Sequence, residues 1–164
     1  MNSLLVNLLA ILAFFQSGEG SPPADLLLTK TYCNARFGYC IEYLDALVPQ
    51  EEAPNGDGTV FKNKQGEKIL TVFGRPKQDA NGHPISLEKQ FSADISALKN
   101  ASYSISYQKI DNGFYVISGF SRNKIFYRKV IAKGNALCFA VLEYPNGEKS
   151  IYDQYSEVIF RTFE

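Results

Sequence analysis

From Leu26 onward, apolar and polar residues mostly alternate with period two, and in two stretches the apolar spacing lengthens to three and four. Side chains of a strand point alternately to opposite faces, so alternation predicts strands and the longer spacing predicts helices. Leu26 to Cys33 and Tyr39 to Leu44 read as a first hairpin. TVFKNKQGEKILTVFG reads as a second, turning near Asn63 to Gly66. Two loops punctuate this half. VPQEEAPNGDG holds two prolines, three acids and two glycines in eleven residues, and RPKQDANGHP follows the second hairpin.

In SLEKQFSADISALKN the residues Leu87, Phe91, Ile95 and Leu98 form one apolar stripe, with Ser86 as N-cap and Glu88 in the first turn. Four strands follow, YSISYQKI, FYVISGFS, IFYRKVIAK and LCFAVLEY, joined by short turns at 111–113, 122–123 and 134–135. Such turns predict an antiparallel meander. In ALCFAVL both alternating sets are apolar, so this strand needs a layer on each face. A last helix, SIYDQYSEVIFRTF, is expected to bury Ile151, Tyr155, Val158, Ile159 and Thr162, with Ser150 as cap and Asp153 completing a capping box. The fold class is therefore α+β: an antiparallel sheet of about six to eight strands packed by two amphipathic helices. One helix on each face makes an α/β/α sandwich; both on one face is the alternative.

The first twenty residues change the picture. Leu4 to Phe15 is apolar except for Asn7, and small and polar residues follow up to Gly20. Twelve helical residues span about 18 Å, too short for a hydrocarbon core of about 30 Å. This suits a secretory leader cleaved near Ser21, although no Lys or Arg precedes the apolar run. A buried N-terminal helix or a displaced start is the other reading. The expected organisation is a signal peptide at 1–20 and a single domain at 21–164. Seventeen basic and seventeen acidic residues cancel, leaving no electrostatic footprint for nucleic acid or an anionic membrane surface. With 45% hydrophobic residues, twelve Phe and ten Tyr, a packed core is expected.

Cys33 and Cys40 flank Arg36, Phe37 and Gly38. Three cysteines and one histidine fit no zinc spacing, and no Cys-x-x-Cys occurs. If the flanking strands are antiparallel, a turn over Asn34 to Gly38 sets the two cysteines opposite each other, within reach of a disulfide. An oxidising compartment favours that bond; in a reducing one the two remain free thiols. Cys138 lies in an apolar run and reads as a core residue.

ARFGYCIEYLDALVP, with NGDGTVFKNKQGEKILTVFG after it, resembles a group of exported bacterial proteins of unknown function. Their pattern is an Arg-Phe-Gly-Phe start, an alternating strand ending in Tyr-Pro and a later Gly-Asp-Gly. Arg36-Phe37-Gly38 with an aromatic after it also resembles the PsbP-like superfamily of α/β/α sandwiches. The match covers residues 35 to 74; Leu44 stands where the pattern has Pro, and Cys40 where it has Ser or Thr. The resemblance implies an antiparallel sheet between helices and a binding or assembly role, with some similar sandwiches acting as immunity proteins. It implies no catalytic residue.

Candidate chemistry is sparse. His83, the sole histidine, lies in a Pro/Gly loop near Asp79, and no Gly-x-Ser-x-Gly elbow occurs. Asn55 to Gly58 resembles part of a calcium loop, but Ala53 and Lys64 stand where an EF-hand has acids. A hairpin-entry turn is the simpler reading, with weak calcium binding left open. Arg122, Lys124, Arg128, Lys129 and Lys133 form a basic cluster near one hairpin, read as a solvated strand face in preference to the mark of an acidic partner, and Asn100-Ala101-Ser102 is a glycosylation sequon. The expectation is a secreted or periplasmic, non-enzymatic domain that binds another protein. Its contact surface would comprise Arg36, Asn55, Asp57, Arg75 and His83 on loops. No cofactor, metal, nucleic acid or membrane insertion of the mature chain is expected. An exported hydrolase and a small apolar-ligand carrier are the alternatives.

Overall fold

The computed structural model describes residues 28–164; the expected leader and its cleavage near Ser21 lie outside the described residues. Strands β1 (Thr29–Cys33) and β2 (Cys40–Leu44) form the first hairpin, followed by β3 (Val48–Pro49). Strands β4 (Gly58–Lys62) and β5 (Lys68–Pro76) form the second, and helix α1 spans Leu87–Asn100. Strands β6 (Ser104–Asp111), β7 (Phe114–Ser121), β8 (Lys124–Lys133) and β9 (Ala136–Pro145) lead through a short 3-10 turn, Asn146–Glu148, into α2 (Lys149–Thr162).

Seven strands make one antiparallel sheet in the order β3-β4-β5-β9-β8-β7-β6. Two meanders, β3 to β5 and β6 to β9, meet where β5 pairs with β9. The first hairpin stays outside this sheet as a two-stranded sheet of its own. Its inward residues Tyr39, Ile41 and Tyr43 pack on Phe61, Leu70 and Val72, in the same core as Tyr152, Ile159 and Phe163 of the α2 segment. On the opposite face, Leu87 and Leu98 of α1 pack on Tyr115, Ile117, Phe126 and Phe139. One helix thus lies on each face. Strand β9 serves both layers, Leu137 and Phe139 toward α1 and Cys138, Ala140 and Leu142 toward α2.

Local chemistry explains the element ends. The Ser86 hydroxyl accepts from the Lys89 N–H at 3.1 Å, capping α1 as its sequence predicts. Gly38 closes the first turn at φ 67°, a conformation glycine adopts without steric cost. The last helix departs from expectation. It begins at Lys149 behind the 3-10 turn, no side chain caps it, and Ser150 is already inside it. Its buried face is rotated: Tyr152 and Ile159 are buried, while Ile151 is 52% exposed. Asp153 accepts hydrogen bonds from the Tyr144 and Tyr127 hydroxyls instead of completing a capping box. The rotation follows from the sheet, because Tyr144 offers Tyr152 a ring contact at 5.0 Å between centroids.

Cys33 and Cys40 are directly opposite and disulfide-bonded, with Cα atoms 4.1 Å apart. The bond closes the end of the hairpin that carries the outer layer. Cys40 also exchanges two backbone hydrogen bonds with Glu164, at 2.8 and 3.2 Å, tying the chain beyond α2 to the same point. Replacing both cysteines by serine is expected to cost about 2.5 kcal/mol on loop-closure entropy, read as a lower urea midpoint. An unchanged midpoint would mean that the unfolded chain gains no freedom when the clip is lost.

Candidate functional site

Strand direction places the predicted site residues at one end of the sandwich. There β5 and β8 finish, β4 and β9 start, and the turn after β1 folds over them. Lys133, at the end of β8, reaches this turn and donates to the Gly38 carbonyl at 2.6 Å. The Arg36 guanidinium donates to the Asn55 carbonyl and lies 5.1 Å from the Phe37 ring centroid. Asn34, buried, donates from Nδ2 to the Gly56 carbonyl at 3.0 Å. The Asp57 carbonyl accepts from the Tyr39 hydroxyl at 3.1 Å and from the Gly74 N–H at 2.8 Å. Gly74 is the residue this joint needs, since a Cβ there would lie 2.4 Å from the Phe37 ring. Arg36, Asn55 and Asp57 therefore belong to one fastened loop pair.

Arg75 and His83 sit on the α1 side of the same end. Arg75 donates to the Gln78 carbonyl at 3.1 Å and to the Gln90 side chain, and its guanidinium is 5.5 Å from the Phe139 ring centroid. His83 is a loop residue with a 76% exposed side chain, its Nδ1 3.5 Å from Asp79 Oδ2. Asp79 organises this loop by accepting from the backbone N–H of His83 at 3.0 Å and of Asn81 at 2.9 Å. The His83 N–H bond, followed by that of Asn81, holds the Asp79 carboxyl below its ordinary pKa range. Among the described residues, the His83 side chain pairs only with Asp79 and with no nucleophilic side chain. Asn55 Nδ2 donates to Asp57 Oδ2 at 2.7 Å, and no group of three His, Cys, Asp or Glu side chains gathers around a metal-sized space among the described residues.

A buried polar network went unseen in the sequence. Asp94 of α1 is 8% exposed. It accepts from Gln90 Nε2 at 2.8 Å and from the Tyr115 hydroxyl at 2.6 Å, and pairs with Arg128 Nη1 at 2.8 Å. The basic run from Arg122 to Lys133 is accordingly no cluster. Period-two alternation sends Arg128 to the α1 face and Lys129 to the α2 face. There Lys129 Nζ donates to the carbonyls of Phe160 at 2.6 Å and Phe163 at 3.0 Å, satisfying the end of α2. Lys124 pairs with Glu143 at 3.2 Å. Burial pushes the Lys129 ammonium pKa down and that of the Cys138 thiol up to about 11, consistent with Cys138 as a core residue.

Among the described residues, apolar grooves lie where the outer layers stop short; one, of about 530 Å³, runs beside Arg75, Ile85 and Lys89 at the start of α1, and two lie over the sheet. The first of these two, of about 420 Å³, lies between α2 and β6-β7 and is walled by Tyr107, Val116, Tyr127 and Phe160. It is open toward β6, where Tyr107 is 54% exposed. The other, of about 550 Å³, lies over β4 and β5 on the α1 face, with Val60, Thr71 and Phe73 in its floor.

No protein-family model matches the sequence, and no curated protein matches it. The fold is similar to the solution structure of cyanobacterial PsbP (CyanoP) from Synechocystis sp. PCC 6803. The TM-score is 0.59 at 12% sequence identity, over 83% of this chain and 91% of that one. The chain thus has a PsbP-like α+β fold.

Proposed function

We propose that this chain is an exported, non-enzymatic domain that binds another protein through the loop end carrying Arg36, Asn55, Asp57, Arg75 and His83. One observation carries the reading: separate loops are fastened side by side over a disulfide-clipped hairpin, with exposed Arg36 and His83 at their tips. Loops positioned by a rigid scaffold are the usual carriers of recognition. A preformed surface also avoids much of the ordering cost of association. The disulfide supports an oxidising compartment, hence export with the leader removed near Ser21. Membership in the exported group with the Arg-Phe-Gly…Gly-Asp-Gly pattern belongs to the same proposal.

The test begins with intact mass after expression with the leader, where loss of about twenty residues and an oxidised cysteine pair are expected. Photo-cross-linking residues are then placed at Ala35 and His83, and at Asn123 on the opposite end. A discrete protein adduct from the first two positions and none from the third supports the reading. Retention of the leader with three alkylatable thiols, or equal labelling from both ends, overturns it.

A further inference from the structure

We propose that the bare half of the sheet over β4 and β5, on the α1 face, docks an amphipathic helix of the partner, acidic at one end and basic at the other. This rests on the protein-binding reading above and gives the partner its chemistry. Helix α1 packs on β6 and β7 and leaves Val60, Thr71, Phe73 and Val141 half-buried in a continuous strip. The reverse side of β4 and β5 is already covered by the first hairpin. Strands β3, β4 and β5 together are about 10 Å wide, the diameter of one helix. The vacant strip beside α1 therefore has the dimensions of a second helix in the same layer.

Charge selects the occupant. Lys62 and Lys68 face each other across β4 and β5, and both line one end of the groove. Like charges directly opposite are destabilising. Neither is within 4.0 Å of a carboxylate among the described residues. Asp57 lies at the other end of β4 and Glu51 on the flank beside it, both lining the groove and likewise without an ion pair. Five residue steps of extended chain lead from Asp57 to Lys62, about 17 Å. That exceeds the screening length of about 8 Å, so the two ends do not neutralise each other. A helix of about eleven residues spans the same distance. Acidic first turns and basic last turns are the favourable polarity for a helix. Such a helix would lie antiparallel to α1, with its first turn over the lysines and its last over Glu51 and Asp57. The groove beside α2 shows no such axis, since Glu157 and Arg161 stand one turn apart on its rim.

The test uses the oxidised full chain and two fluorescein-labelled fourteen-residue helical peptides of identical composition. One has its glutamates in the first turn and its lysines in the last; in the other both are mixed along the length. Both carry leucines at i, i+3, i+4 and i+7. Fluorescence anisotropy is expected to show the segregated peptide binding about tenfold tighter or more. Lys62→Glu with Lys68→Glu should abolish the difference, and adding Glu51→Lys and Asp57→Lys should restore it with the helix reversed. Circular dichroism checks that each variant is folded. Equal affinities, no binding, or indifference to the charge reversal overturns the proposal. A loop-end cross-link that persists beside such a negative result sinks the groove alone and leaves the protein-binding reading standing.

Discussion

Replacing Asp94 by alanine is expected to destabilise the fold by about 3–5 kcal/mol, the largest effect of any single charge removal here. Among the described residues the carboxylate is the only partner of the Arg128 guanidinium, whose Nε lacks a hydrogen bond, and it also accepts from the Tyr115 hydroxyl. Removing it leaves a buried phenol without an acceptor and a guanidinium, its side chain only 22% exposed, without a counter-charge under α1. Since domains of this size are stable by about 5–15 kcal/mol, a third or more of the total is at stake. Urea denaturation followed by circular dichroism measures it. The triple variant Asp94→Leu, Arg128→Met and Tyr115→Phe, which removes both charges and the hydroxyl that Asp94 accepts from, should return to within about 1 kcal/mol of the parent. A loss under about 1 kcal/mol in Asp94→Ala alone would show that water reaches the guanidinium and that the network is not sealed.

Alkaline titration is expected to unfold the protein cooperatively above about pH 10. Tyr39, Tyr115 and Tyr144 have no exposed surface, and burial, before any neighbouring charge, raises all three phenol pKa values strongly. Below pH 10 these three phenols are neutral in both states and contribute nothing to the pH dependence. Above it the unfolded chain releases protons that the folded chain retains, so the unfolded state binds fewer protons and stability falls as pH rises. Each buried tyrosine contributes about 1.4 kcal/mol per pH unit, together about 4 kcal/mol per unit. The Cys138 thiol, pushed up to about 11, adds in the same direction over a lower window. Absorbance at 295 nm should rise in two stages, the second coinciding with loss of ellipticity at 222 nm. Titration of every tyrosine near pH 10 with the ellipticity intact would show that the three are reachable by solvent in the folded state.

Elements whose periodicity was strong were legible before the structure. The paired hairpins, the α1 stripe with its Ser86 cap and the doubly buried β9 were each written in local spacing. The cysteine clip followed from the symmetry of its turn. The face of α2 was misread because tyrosine is amphipathic: Tyr152, not Ile151, goes inward, to meet a ring 8 residues earlier in the chain. Asp94 was invisible for a related reason. A charge on an amphipathic helix ordinarily faces water, and its partner Arg128 comes from a strand 34 residues later. At the loop end, the sequence identified the turns but not their joinery, since the Arg36 to Asn55 and Tyr39 to Asp57 bonds run between segments with no shared pattern. The meander of the last four strands was legible in its short turns, but the pairing of β5 with β9 was hidden, because alternation describes a strand's two faces and says nothing of which distant strand lies beside it.

The seam between β5 and β9 sets an order of assembly. These strands pair over seven positions although some sixty residues of chain lie between them. Every other neighbour within the seven-stranded sheet is consecutive in sequence, so the two meanders can each form locally and rapidly. During synthesis β5 emerges first and must wait, its long inner edge bearing unsatisfied N–H and C=O groups, until β9 arrives at the end of the second meander. The waiting edge is flanked by Ile69, Leu70 and Val72, an aggregation hazard for any nascent chain that stops before Ala136. A chain that crosses a membrane unfolded and folds afterwards presents both meanders together and is spared that interval.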